Sequence, residues 1–166
     1  MEIQVKVINK SNNNLPKYET QKSAGCDVRA DFSRIDENPI KVYGDCEIKR
    51  TEGKILFRIG RFSRAIIPTG LFTAIPEGYE VQLRSRSGLS IKQGLTLING
   101  IGTIDSDFRN EWGVPVINLG LEDVWIEDGE RICQAVLGKF ERIEWDEVKE
   151  LDETDRKGGF GHTGLK

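Results

Sequence analysis

Short apolar runs separated by turn residues come so often in this chain that little room is left for anything but β-structure. IQVKVI (3–8), ILFRI (55–59), RAIIPTGLFTAI (64–75), YEVQLR (79–84), LTLI (95–98), WGVPVINL (112–119) and RICQAVLGKF (131–140) are each rich in branched or aromatic residues. PTG, PEG, QG, NG and EDG punctuate them. Runs of this kind at this density predict an all-β barrel or sandwich. One helix at most fits the body, a turn or two in SGLSIKQG (87–94). With 166 residues the chain is expected to form a single β domain over 1–151.

Two segments stand apart from that body. Residues 33–63 are charged and turn-rich, and predict an extra hairpin or loop excursion. The end, 152-DETDRKGGFGHTGLK-166, has little to bury and is expected to be a flexible arm. Phe160, a lone aromatic among its glycines, suggests a docking contact rather than a plain linker.

Charge and cysteine content narrow the function classes. A formal net charge of −3 and a pI near 5.4 argue against broad, stable nucleic-acid binding, which needs a basic face. A small polyanion held by a few arginines remains compatible with them. No apolar run is long enough to span a bilayer, and MEIQVKVINK lacks the apolar core of a signal peptide, so a cytoplasmic protein is expected. Cys26, Cys46 and Cys133 are far apart with no CxxC pair, which disfavours a disulfide framework or a zinc site.

Several polar constellations interrupt the strand pattern. In 84-RSRSGLS-90, Arg86, Ser87 and Gly88 lead into the short helix, where unpaired N–H groups and a guanidinium suit a phosphate. The plain alternative is a turn with an N-capping serine. In the tail, Arg156, Lys157, Gly161 and Thr163 make a second candidate phosphate grip, and Phe160 could stack on a flat ring. His162, the only histidine, is expected to be exposed or a minor phosphate contact, not catalytic. Gln134 in 129-GERICQAV-136 serves either a core hydrogen bond or a ligand. Asp27 in 24-AGCDVRAD-31 needs a partner, with arginine pairing and metal chemistry both open. The run 99-NGIGTIDSDFRNEWG-113 ends a strand on Asp105 and Asp107, where turn formation alone is the bland explanation.

Taken in order, AGCDVRAD, RSRSGLS, NGIGTIDSDF, GERICQAV and GGFGHTG resemble the five motifs of the trimeric dUTPases, across residues 24 to 164. The resemblance implies a distorted jelly-roll β-barrel, a homotrimer with sites between subunits, and magnesium-assisted cleavage of dUTP to dUMP and pyrophosphate. It implies that Asp105 activates the attacking water and that Asp27 contacts Mg2+ through water. Arg86, Ser87, Gly88 and Gln134 would hold phosphates. Asn99, Gly102 and the backbone of a narrow hairpin there would read uracil, and Phe108 would pack on the sugar. Phe160 would stack on the base while Arg156, Gly161 and Thr163 grip the terminal phosphates, the arm closing over a neighbouring subunit's site.

Three features depart from the family pattern. Phe108 stands where a tyrosine is usual, which bears on rejection of ribose. The arm, RKGGFG, is one residue shorter than the common form, so Lys157 competes with Arg156 for its role. The 33–63 segment is longer, a surface elaboration or a site for a regulatory partner. Among rivals, a dCTP deaminase shares an IDxxF ending but needs a glutamate in the following strand, and Glu111 precedes it. A nucleotide-sensing binding protein would not need Asp105 as a base.

Overall fold

The computed structural model describes residues 2–155 and Gly158. In chain order the elements are β1 (Lys6–Asn9), β2 (Cys26–Arg29), β3 (Lys41–Tyr43), β4 (Cys46–Thr51), β5 (Lys54–Ile59), β6 (Arg64–Pro68) and β7 (Leu71–Ala74). β8 (Tyr79–Ser85), α1 (Ser87–Gln93), β9 (Leu95–Leu97), β10 (Ile101–Ile104), β11 (Gly113–Asn118), β12 (Val124–Glu127) and β13 (Arg131–Lys139) follow. Among the described residues the fold is all-β with one short helix, as expected. Among the described residues the strands pair in four sheets, β10-β8-β13-β2, β3-β6-β11-β9, β12-β5-β4 and β1-β7, and the pairing does not run round a closed barrel.

Period-two alternation explains how the two larger sheets share one core. β8 buries Val81 and Leu83 and turns Arg84 to solvent, while β11 buries Val114, Val116 and Asn118. Val28 and Ala135 from the first sheet and Ile67 and Leu97 from the second join the same buried cluster. Each such aliphatic side chain contributes roughly 1.5–3 kcal/mol when fully buried. Polar cross-links tie the sheets as well. The Ser85 hydroxyl lies 2.9 Å from that of Thr96 and accepts the Leu97 N–H at 3.0 Å.

The long run 64–75 is two strands in different sheets, not one. Pro68 cannot donate onward, and Gly70 takes φ +71, which breaks the extended chain at a corner. Any larger residue at position 70 would also drive its Cβ to 2.6 Å from the Ser11 nitrogen. The first strand is shorter than IQVKVI suggests, and β12, bracketed by acids and only four residues long, is absent from the sequence expectation.

The 33–63 segment holds β3 and the β4–β5 hairpin, and it is no detachable excursion. β3 pairs with β6 and β5 pairs with β12, so both sit inside sheets of the body. Phe57 and Ile59 of β5 are fully buried, the Phe57 ring 5.9 Å from that of Phe32. On the outer side, Arg58 binds Asp45 at 2.6 Å, Asp123 at 3.0 Å and Glu47 at 3.3 Å, and these carboxylates hold its guanidinium in the charged form. No described helix is long and apolar enough to cross a membrane.

Candidate active site

The outer face of the β10-β8-β13-β2 sheet gathers the first group of candidate side chains. Asp27 on β2 stands opposite Gln134 on β13, and Gln134 stands opposite Arg84 on β8. Arg86, just beyond β8, donates from Nε to Asp27 Oδ1 at 3.1 Å and from Nη1 to the Arg131 carbonyl at 3.0 Å. Gln134 donates to the same Oδ1 at 3.3 Å, and Arg131 Nη1 donates to Oδ2 at 3.0 Å. The Asp27 side chain is only 10% exposed, and paired charges of this kind are what allow a carboxylate to be buried. Arginine pairing is therefore what the structure supplies for Asp27. Gln134 is an exposed residue of this face, not a core hydrogen-bonding group.

A register irregularity makes this cluster. Residues 131 and 134 are three apart and would face opposite sides of a regular strand. Between Arg131 and Cys133 the pairing of β13 shifts, Arg131 facing Arg29 and Cys133 facing Val28. The bulge brings Arg131 onto the side of Asp27 and Gln134. Arg131 is thus a member of this cluster that sequence pattern leaves unassigned, because the period alone points it into the core. A hollow of about 430 Å³ lined by Asn12, Asn13, Lys17, Arg29, Asp27 and Arg131 adjoins it.

Ser87 and Gly88 open α1 beside this cluster, and both are exposed. The helix is capped by Arg86 in extended conformation without a side-chain bond, so Ser87 is its first residue and not its cap. At the other end Gly94, at φ 72, closes the helix by donating to the Ser90 carbonyl.

Asp105 lies elsewhere. It follows Ile104, which pairs with Val81, whereas Arg86 lies past the opposite end of β8. Five residues of strand at about 3.3 Å each put roughly 17 Å between the two ends. Asp105 is exposed and heads a tight turn in which the Phe108 N–H returns to its carbonyl at 3.2 Å. Asp105, Asp107, Arg109, Phe140 and Arg142 border an open hollow of about 930 Å³. Phe108 packs partly against the core. Upstream, Asn99 is exposed and Gly102 is buried, where a Cβ would come within 3.2 Å of Leu83. The expected narrow hairpin is a different object. β9 pairs with β11 and β10 with β8, so the turn at 98–100 carries the chain from one sheet to the other. Gly100, at φ +73, makes that turn possible.

Glu111 is fully engaged: its Oε1 accepts from Gly70 N–H and Arg34, both at 2.7 Å, and its Oε2 from Asn38 at 3.1 Å. It is an anchor for the corner at Gly70. Cys133 is buried and its thiol is pushed up to about 12 by burial. Arg156, Phe160, Gly161 and Thr163, with Lys157 and His162, lie outside the described residues.

As for a cation, no group of three or more His, Cys, Asp or Glu among the described residues could hold one. Asp27 Oδ2 accepts one hydrogen bond and keeps acceptor capacity for a water. These residues fit an ion held by phosphate oxygens and waters, with Asp27 reaching it through one of those waters.

Comparison with known proteins gives the family and the fold. The family model described as dUTPase matches residues 52–164. The deoxyuridine 5'-triphosphate nucleotidohydrolase of Finegoldia magna is 53% identical over 163 residues, covering 98% of this chain and 99% of its own length. That of Fusobacterium nucleatum is 48% identical, covering 98% of this chain and 97% of its own length. In fold, the chain is similar to the dUTPase of Staphylococcus bacteriophage 80alpha solved with dUPNHPP, at a TM-score of 0.74 and 23% identity, covering 98% of this chain and 99% of that one. A dUTPase variant from phage phi11 of S. aureus, described with a structural Mg(II) ion, is similar at a TM-score of 0.68 and 19% identity, covering 89% and 98%.

Proposed function

The chain belongs to the dUTPase family, and from that premise we propose how it acts as a dUTP diphosphatase. Water attacks the α-phosphorus of dUTP and pyrophosphate departs, leaving dUMP. Asp105 accepts the proton of that water, a role worth roughly 10²–10⁴-fold. Arg86, Arg131 and Gln134, held on one face by Asp27, meet the negative charge of the triphosphate, with the exposed start of α1 at Ser87 and Gly88 beside them. Mg2+, when bound to the triphosphate, supplies further charge neutralisation, and Asp27 would hold one of its waters. Asn99 and Gly102 flank the uracil, Phe108 meets the sugar, and Phe160, Arg156, Gly161 and Thr163 close over base and terminal phosphates.

The observation that carries the assembly is the separation of Asp105 from the Asp27–Arg86 cluster, at opposite ends of β8. One chain does not bring the base to its own phosphate face. That supports a homotrimer in which the Asp105 turn of one subunit serves the arginine face of another, with the 152–166 arm completing the site.

Engagement of Glu111 with Gly70, Arg34 and Asn38 speaks against its acting as a deaminating acid. The test is a reaction panel with magnesium in which dUTP, dCTP, UTP and dTTP are each assayed for pyrophosphate and ammonia. Pyrophosphate from dUTP, with none from dTTP and no ammonia from dCTP, is the expected result. Ammonia from dCTP, or silence on dUTP, would overturn the proposal. Pyrophosphate from UTP would assign loss of ribose discrimination to Phe108.

A further inference from the structure

The turn that presents Asp105 has few hydrogen bonds of its own, its inward contact being Phe108 against the core. Between Ile104 and Gly113 its internal bonds are the Phe108 N–H on the Asp105 carbonyl, and the Arg109 guanidinium on the carbonyls of Ser106 and Phe108. Asp105, Asp107, Arg109 and Asn110 all face solvent. Its far end, by contrast, is tightly held. Trp112 donates its N–H to the Leu71 carbonyl at 2.8 Å and accepts the Thr69 hydroxyl at 2.8 Å. Glu111 caps the Gly70 N–H and is itself gripped by Arg34 Nη2, both at 2.7 Å.

Arg34 does not act on Glu111 alone. Its Nε donates at 3.0 Å to Oδ2 of Asp31, which is 1% exposed and follows β2, the strand that carries Asp27. Arg34 and Glu111 are themselves 21% and 14% exposed, so solvent screens the trio weakly. Burial disfavours the charged guanidinium, but hydrogen bonds and charges from Asp31 and Glu111 outweigh it and hold the group above its ordinary range. Without the guanidinium, two carboxylates would converge on the Gly70 corner uncompensated. The corner is closely packed, and a Cβ at Gly70 would also lie 3.0 Å from Asp31 Oδ2.

We propose that Arg34 is a positioning residue for Asp105: its fork, shared between buried Asp31 and Glu111, fixes the far end of the turn whose near end carries the Asp105 carboxylate. The proposal rests on Asp105 being the general base. The planar fork is needed because a lysine is a single point charge that cannot serve both carboxylates in this geometry. Misplacement of a catalytic group by about 1 Å costs up to roughly 10²-fold in rate, whereas Arg86 and Arg131, past the opposite end of β8 and on β13, are held by Asp27 and not by Glu111.

The test compares the wild-type protein with Arg34→Ala and Arg34→Lys by hydrogen exchange and by dUTP turnover. In Arg34→Ala, amides of 105–112 should exchange faster while β8 and β13 keep their rates. The kcat should fall about 10- to 100-fold with KM within about threefold, and Arg34→Lys should recover part of both effects. Unchanged exchange at the turn would overturn the proposal, as would a loss confined to KM, or exchange that rises equally in β8 and β13. Wild-type protein silent on dUTP would sink the catalytic role of Asp105, and exchange at the turn would still decide whether Arg34 braces it.

Discussion

Arg86 and Asp27 meet at 3.1 Å across the outer face of one sheet, and Arg131 closes on the other oxygen of the same carboxylate at 3.0 Å. One acid therefore orients two guanidiniums. Asp27→Ala should leave both cations without their shared partner and destabilise the fold by about 1–3 kcal/mol. Urea unfolding measures that loss, and turnover at increasing magnesium would fall further than stability alone explains.

Asp105 is exposed, and no side-chain hydrogen bond holds its carboxylate among those described. Asp105→Asn should then melt within a degree or two of the wild type. It should retain binding of a non-hydrolysable dUTP analogue while kcat falls roughly 10²–10⁴-fold. Calorimetric binding alongside pyrophosphate release separates the two, and an unimpaired kcat would remove Asp105 from its role.

Phe57→Ala should cost about 3–5 kcal/mol, because the fully buried ring packs against Phe32 in the core. A two-residue insertion at the β4–β5 tip, by Glu52 and Gly53, should cost far less. Denaturant midpoints of the two variants would settle whether the hairpin belongs to the core. Equal tolerance of both changes would contradict the burial of β5.

Burial raises the Cys133 thiol to about 12 from an ordinary 9.0. The unfolded chain therefore releases this proton first, so below about pH 9 the group has no pH-dependent effect, and stability drains away as pH climbs from there towards 12. The slope from this one thiol is at most about 1.4 kcal/mol per pH unit. Cys133→Ala should remove that component. Urea unfolding at pH 8 and pH 10.5 should show the gap between wild type and variant narrowing at the higher pH.

A chain ending at Asp155 should keep the folded body and lose most turnover. Circular dichroism, mass and rate on the same sample would test this, and an unfolded product would make the tail structural.

Much of this was legible in the chain. Alternation in YEVQLR and RICQAVLGKF places Val81, Leu83 and Ala135 inward and Arg84 outward with no other information. Three of the motif strings hold Asp27, Arg86 and Gln134, which meet on one face. What stayed hidden depends on registry and not on composition. A bulge reverses the facing of Arg131, and a positive φ at Gly70 divides one apolar run between two sheets. Burial of Phe57 and Ile59 was masked by the charged stretch around them, whose acids and lysines lie on the outer face and loops. Arg34 gave no sign at all, since its partners Asp31 and Glu111 are 80 residues apart in the chain.

The run of β8 between Val81 and Arg86 has a consequence for how such a chain can vary over generations. If one end of this strand feeds one site of an assembly and the other end feeds the next, its length is a shared measurement. A single-residue insertion there would reverse the facing of the residues on one side of it and change the distance between the two ends, so no compensating change in one site could rescue it. Libraries of random insertions should return survivors at the hairpin tips and none within β8.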